Sequence, residues 1–143
     1  PIFPTFAPEH FARVRQVDTM KRKQFIKGIN QIAQEGAIQI FQEYNTGMEE
    51  IIVGVVGVLQ FDVLKYRLEN EYNVEIRLEN LPYEYIRWIE NEEIDLDKLT
   101  GTSDMKKVKD LKGRPLLLFV NEWSIRMTVD RNEGLKLTEF GRS

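Results

Sequence analysis

Two groups of cations are the residues in this sequence best suited to chemistry with a partner: Lys21, Arg22, Lys23 and Lys27, then Lys106, Lys107, Lys109, Lys112 and Arg114. Ammonium and guanidinium groups gathered in this way hold phosphate or carboxylate through charge-assisted hydrogen bonds. The first group falls in the opening turns of a predicted helix, where the helix dipole already places partial positive charge. Each cation there is disfavoured by roughly a few tenths of a kcal/mol, and an anionic partner would reverse the sign. Neither group is interleaved with aromatic side chains of the kind that stack on single-stranded bases. Duplex backbone or an acidic protein surface is the expected partner, and a solvated face is the competing reading for each group.

Other chemistry is poorly supplied. The chain has one histidine, His10, and no cysteine, which removes thiolate nucleophiles, disulfides and thiolate metal sites together. His10 stands at the start of a predicted strand and reads as a surface or cap residue. Glu49-Glu50 and Glu92-Glu93 are sequence neighbours, and adjacent residues do not share a face on a strand or helix. Gly54-Val55-Val56-Gly57 lacks the Gly-Lys-Ser/Thr that completes a nucleotide-binding P-loop. It reads as a strand end turning into a helix, the alternative being a helix N-terminus that holds a phosphate. No catalytic, cofactor-binding or metal site is expected.

The overall balance is mildly acidic, 20 Lys and Arg against 23 Asp and Glu for a net charge of −3. A stand-alone nucleic-acid binder draws most of its affinity from phosphate neutralisation and is usually basic. Any RNA contact must therefore be a local patch. No apolar run approaches the ~20 residues needed to span a bilayer; the longest, Ile51 to Leu59, is broken by Gly54 and Gly57. A cytoplasmic location is expected, as is a monomer without membrane contact. The chain opens at Pro1 with no Met and reads as a trimmed piece.

The elements that must position these residues follow from periodicity. Phe11 to Arg15 alternates as a strand, with Ala12 and Val14 on one face. Asp18 or Thr19 can cap the next segment, in which Phe25, Ile26, Ile29, Ile32 and Ala33 recur at helical spacing, and Gly36 can end it. Ala37 to Phe41 reads as a strand, Asn45-Thr46-Gly47 as a turn and Ile51 to Val56 as a central strand. A second helix carries Phe61, Leu64, Leu68 and Tyr72 on one stripe, stopped at Asn73. Val74 to Leu78 alternates as a strand. This βαββαβ order is that of a ferredoxin-like split βαβ unit in an α+β fold.

After Leu81-Pro82 the pattern restarts, dividing the chain into subdomains 1–81 and 82–143, the second a smaller α/β unit. It comprises a strand from Tyr83 to Glu90, a short helix within Glu92 to Lys98, and a hairpin turning at Asp110 to Pro115 into Leu116 to Val120. Strict alternation over Trp123 to Val129 argues strand, whereas Asn121 as a cap argues helix, and periodicity leaves both open. A last strand is expected over Leu135 to Phe140. Phe11 and Phe41 can share a face with Arg13, Arg15 and Gln39, as in an RNA-recognition motif. Ile51 to Val56 is aliphatic where that motif needs aromatics, so the face is expected to pack against residues 82–143.

Three stretches bear a family resemblance: Phe6 to Arg15, Lys27 to Phe41, and above all Val53-Gly54-Val55-Val56-Gly57-Val58-Leu59-Gln60-Phe61-Asp62-Val63-Leu64 with Arg67 to Glu75. They resemble the third domain of the bacterial GTP-dependent (class II) release factor family. Elongation factor G usually reads Gly-Glu-Leu-His-Leu-Asp where this chain carries Gly57 to Asp62, with Gln60 and Phe61, which favours the release factor. The resemblance implies a piece of a translational GTPase that speeds departure of class I release factors from the ribosome. It implies contact with small-subunit rRNA and ribosomal protein S12, and a GTPase domain, with GTP or GDP and Mg2+, outside these residues. It also makes Trp123 to Asp130 helical. The alternative function is a stand-alone RNA-recognition-motif-like module.

Overall fold

The computed structural model describes residues 7–44 and 51–139. The element order is β1 (His10–Gln16), α1 (Arg22–Gln34), β2 (Gln39–Glu43), β3 (Ile51–Val55), α2 (Leu59–Glu71), β4 (Ile76–Leu81), β5 (Tyr85–Ile89), β6 (Lys106–Asp110), β7 (Pro115–Phe119), α3 (Glu122–Arg131) and β8 (Leu137–Thr138). Single 3-10 turns stand at Thr19–Lys21 and Leu96–Lys98. The fold is α+β. Among the described residues the strands form one sheet ordered β4-β1-β3-β2-β6-β7-β5-β8, antiparallel throughout. Its first four strands, with two helices over one face, have the order of a split βαβ unit.

The two halves of the chain share that sheet through β2 and β6, where Phe41 faces Asp110 and Glu43 faces Val108. In a flat sheet β1 and β5, five strand spacings apart, would stand about 24 Å from one another at ~4.8 Å per step. Phe11 of β1 instead shares one buried cluster with Ile86 and Trp88 of β5, on the sheet face to which none of the three helices contributes a core residue. The sheet therefore curls until its halves face each other. Phe11, Phe41 and Ile52 from one half enclose a core with Ile86, Trp88, Val108, Leu116 and Leu118 from the other. The face with Phe11 and Phe41 is thus covered by residues 82–143, as the aliphatic character of Ile51 to Val56 leads us to expect, and offers no open stacking platform for bases. A second core lies between the first half and its helices, around Val14, Ile29, Val53, Leu64 and Leu68. A third joins Leu117, Phe119 and Leu135 with Ile125 of α3.

Several boundaries differ from the sequence reading. Asp18 does cap, accepting from the Met20 backbone N–H at 3.0 Å, but it caps the 3-10 turn, and α1 begins at Arg22 with no side-chain cap. Strand β2 starts two residues later than expected, because Gly36 (φ +86°) turns the chain out of α1 and Ala37-Ile38 carry it to the sheet. Strand β4 likewise starts at Ile76. Asn73 takes a left-handed φ of 56° and the Val74 N–H closes back on the Leu68 carbonyl at 2.9 Å, so Val74 belongs to the end of α2. The acidic segment holds one 3-10 turn, capped by Asp95. Residues 122–131 are helical: the Asn121 side chain accepts from the Ser124 N–H at 2.8 Å. The last strand shrinks to Leu137–Thr138; Phe140 and the Asn45-Thr46-Gly47 turn lie outside the described residues.

Candidate functional site

The first cation group divides in two. Lys21 donates from Nζ to the Asn73 carbonyl at 3.0 Å, satisfying the chain just past the end of α2. Arg22 donates to the Gln16 side chain at 3.0 Å and lies 5.7 Å from the Phe25 ring centre. Lys23 and Lys27, one turn apart on α1, are exposed and have no ion pair among the described residues. The group's capacity to hold an anion therefore rests on these two ammonium groups, with Lys21 and Arg22 holding the chain around the start of the helix.

The second group is not one surface, because strand alternation sends its members to opposite faces. Lys106 meets the Glu43 carboxylate at 3.2 Å. Lys107, on the other face, donates to the Leu96 and Leu99 carbonyls at 2.6 and 3.0 Å. Lys109 lies 5.3 Å from the Tyr44 ring centre, and Arg114 pairs with Asp110 at 2.7 Å. Asp110 also accepts from the Lys112 and Arg114 backbone N–H groups at 2.9 Å each, which forms the turn around Gly113 (φ +81°). Lys112 projects from that turn and is exposed.

Glu43 is the charged centre that sequence reasoning missed. Its buried carboxylate accepts from Arg13 at 2.5 Å on one side and Lys106 on the other. Burial alone would raise its pKa, but the two cations outweigh burial and hold it below the ordinary glutamate value. Arg13 also reaches Glu79 at 3.4 Å. A signal was present: Glu43 continues the Phe41 face and Arg13 the Phe11 face at period two. On the opposite side of the first half, Arg67 of α2 bonds Glu35, after α1, and Glu71, lowering the pKa of both carboxyls.

The Gly54–Gly57 segment is structural. Gly54 lies within β3, where an added Cβ would stand 2.8 Å from the Pro8 ring. At the start of α2 the Gln60 and Phe61 N–H groups are already bonded to the Gly57 and Val58 carbonyls at 3.0 and 3.1 Å. Exposed Asp62, Glu9 and Glu84 stand around a hollow of about 940 Å³ beside that helix start, and would repel phosphate. His10 is exposed on the rim of the same hollow. Among the described residues no helix is long and apolar enough to cross a membrane.

Comparison with known proteins places this architecture among relatives. Residues 1–129 match the family model described as Class II release factor RF3, C-terminal domain. The Peptide chain release factor 3 of Symbiobacterium thermophilum is 48% identical over 132 residues, 92% of this chain and 25% of that protein. The protein of the same name from Lactobacillus acidophilus is 45% identical over 139 residues, 97% of this chain and 26% of its own length. That of Listeria monocytogenes is 44% identical over 137 residues, 96% and 26% respectively. The chain thus spans about a quarter of the length of the curated relatives it matches.

Proposed function

The chain belongs to the class II release factor family, matching its C-terminal domain, and with translation termination as that premise we propose that it is the ribosome-contacting domain of a GTP-dependent release factor. In this reading it has no catalysis of its own. GTP or GDP with Mg2+ and the GTPase belong to the rest of the longer protein, which acts in the cytoplasm to promote dissociation of class I release factors. The domain works by docking and leverage against small-subunit rRNA and ribosomal protein S12, with the curled sheet as a stiff body between those contacts and the GTPase domain.

The observation that carries the docking half of this reading is the Lys23–Lys27 pair. Two exposed ammonium groups one turn apart lack a carboxylate partner among the described residues, and Lys23 sits where the α1 dipole disfavours it. Phosphate would relieve both costs. The test is ribosome co-sedimentation of the longer factor at several salt concentrations, with Lys23→Ala and Lys27→Ala combined. Each phosphate contact removed should flatten the log–log salt dependence by roughly 0.7–0.9. An unchanged slope and affinity would return the pair to a solvated helix face.

A further inference from the structure

Helix α2 is apolar on two opposite faces. Phe61, Leu64 and Leu68 point into the core, while Leu59, Val63 and Tyr66, at positions i, i+4 and i+7, form a second stripe on the outer side. Leu59 is 73% and Tyr66 67% exposed, and Val58 at the head of the helix is 57% exposed. A helix that faces solvent normally presents charge on its outer side. Here the outer side is an apolar strip that nothing covers among the described residues, on a chain that is otherwise 30% charged. The N-terminal end of the strip opens into the hollow described above, whose floor includes Phe61, Leu78 and Leu81.

The charge around this strip selects its occupant. Glu9, Asp62 and Glu84 line the hollow without an ion pair among the described residues, and neither Lys nor Arg lines it. We propose that the outer face of α2 and the adjoining hollow dock a basic polypeptide segment, whose apolar side chains lie along Leu59, Val63 and Tyr66 while its Lys or Arg side chains meet the three carboxylates. Phosphate backbone is disfavoured there by like charge, so RNA would be held by Lys23 and Lys27 and protein by α2. The hollow would take such a segment whether or not the longer factor meets a ribosome, so the two readings fail separately.

The experiment is an amide NMR titration of the 143-residue chain. The probes are a short peptide alternating leucine with lysine and arginine, its counterpart with glutamate in place of the cations, and an RNA hairpin. The basic peptide should shift residues 58–66 and 78–85. Its affinity should fall about tenfold or more when Leu59→Ser and Tyr66→Ser are combined, given the apolar area they offer. Asp62→Asn with Glu84→Gln should weaken it as well and remove most of its salt dependence. All four side chains are exposed, so the remaining amide spectrum should be unchanged. Equal binding of the acidic peptide, shifts by the hairpin on this face, shifts by the basic peptide spread elsewhere, or indifference to both double variants would each overturn the proposal. So would concentration-dependent broadening of this face without peptide, which would mark it as a contact between copies of the chain.

Discussion

The Glu43 carboxylate lies 2.5 Å from the Arg13 guanidinium, tying strand β1 to the end of strand β2 where that strand passes into the second half of the sheet. Lys106 of β6 meets the same carboxylate, so one acid joins three strands from both halves. Because Glu43 has a lowered pKa in the folded chain, its contribution to stability is complete above the ordinary glutamate value of about 4.3 and is lost as pH falls through the lower folded value. Glu43→Gln should cost about 1.5–3 kcal/mol at neutral pH, the range for a hydrogen bond to a charged group. The gap between wild type and variant, followed by urea unfolding, should shrink only below about pH 4.3. A gap that stays constant to pH 3 would show that the charge on Glu43 is not what holds the strands.

Gly28 of α1 sets the approach of the two helices. A Cβ placed there would stand 2.8 Å from Leu68 Cδ2 and from the Tyr72 ring. Alanine would improve helix propensity by about 0.8–1 kcal/mol, whereas overpacking at a filled contact costs about 1–3 kcal/mol. The clash should win, so Gly28→Ala is expected to lower the urea midpoint, and Gly28→Val to lower it further. A raised midpoint in the alanine variant would mean that the interface relaxes easily.

Cations that look alike in the sequence should separate on mutation. Lys107→Ala removes the donor to two carbonyls and should destabilise the chain by about 1–3 kcal/mol. Lys23→Ala and Lys27→Ala should stay within about 0.5 kcal/mol, as surface changes away from any structural feature do. Thermal melts of the three variants check the ranking, and equal losses would contradict the placement of Lys107.

Leu64 and Leu68 are fully buried in the inner stripe of α2. Leu64→Ala and Leu68→Ala should each cost about 2–5 kcal/mol. Losses under about half a kcal/mol at both would place the helix wrongly.

The isolated chain should neither bind nor hydrolyse GTP, because it lacks a Gly-Lys-Ser/Thr cradle and the N–H groups at the start of α2 are already bonded within the turn. Equilibrium dialysis with labelled nucleotide and a phosphate-release assay measure this directly; turnover that survives repurification would refute it.

Periodicity alone determined most of the elements. The spacing of Ile29 and Ile32, the inner stripe of Leu64 and Leu68, and the alternation through β1 are local signals, and each led to buried residues. Over Trp123 to Val129 periodicity left helix and strand open and only the family resemblance implied the helix, which the Asn121 cap completes in the structure. Local signals also carried the βαββαβ order, because each element shows its own period, although β1 pairs with β3 and β4 far along the chain. What tertiary structure decided was which polar groups meet. The pairing of β6 with β2 sets Lys106 beside Glu43, while Lys107, on the other face, turns to the carbonyls of Leu96 and Leu99. Those partners lie far apart in sequence or depend on which face of a strand is covered, and one-dimensional spacing encodes neither. For the same reason the cation runs read as two patches in sequence, whereas in space Lys23 and Lys27 have no ion pair among the described residues and most of the others hold the fold together.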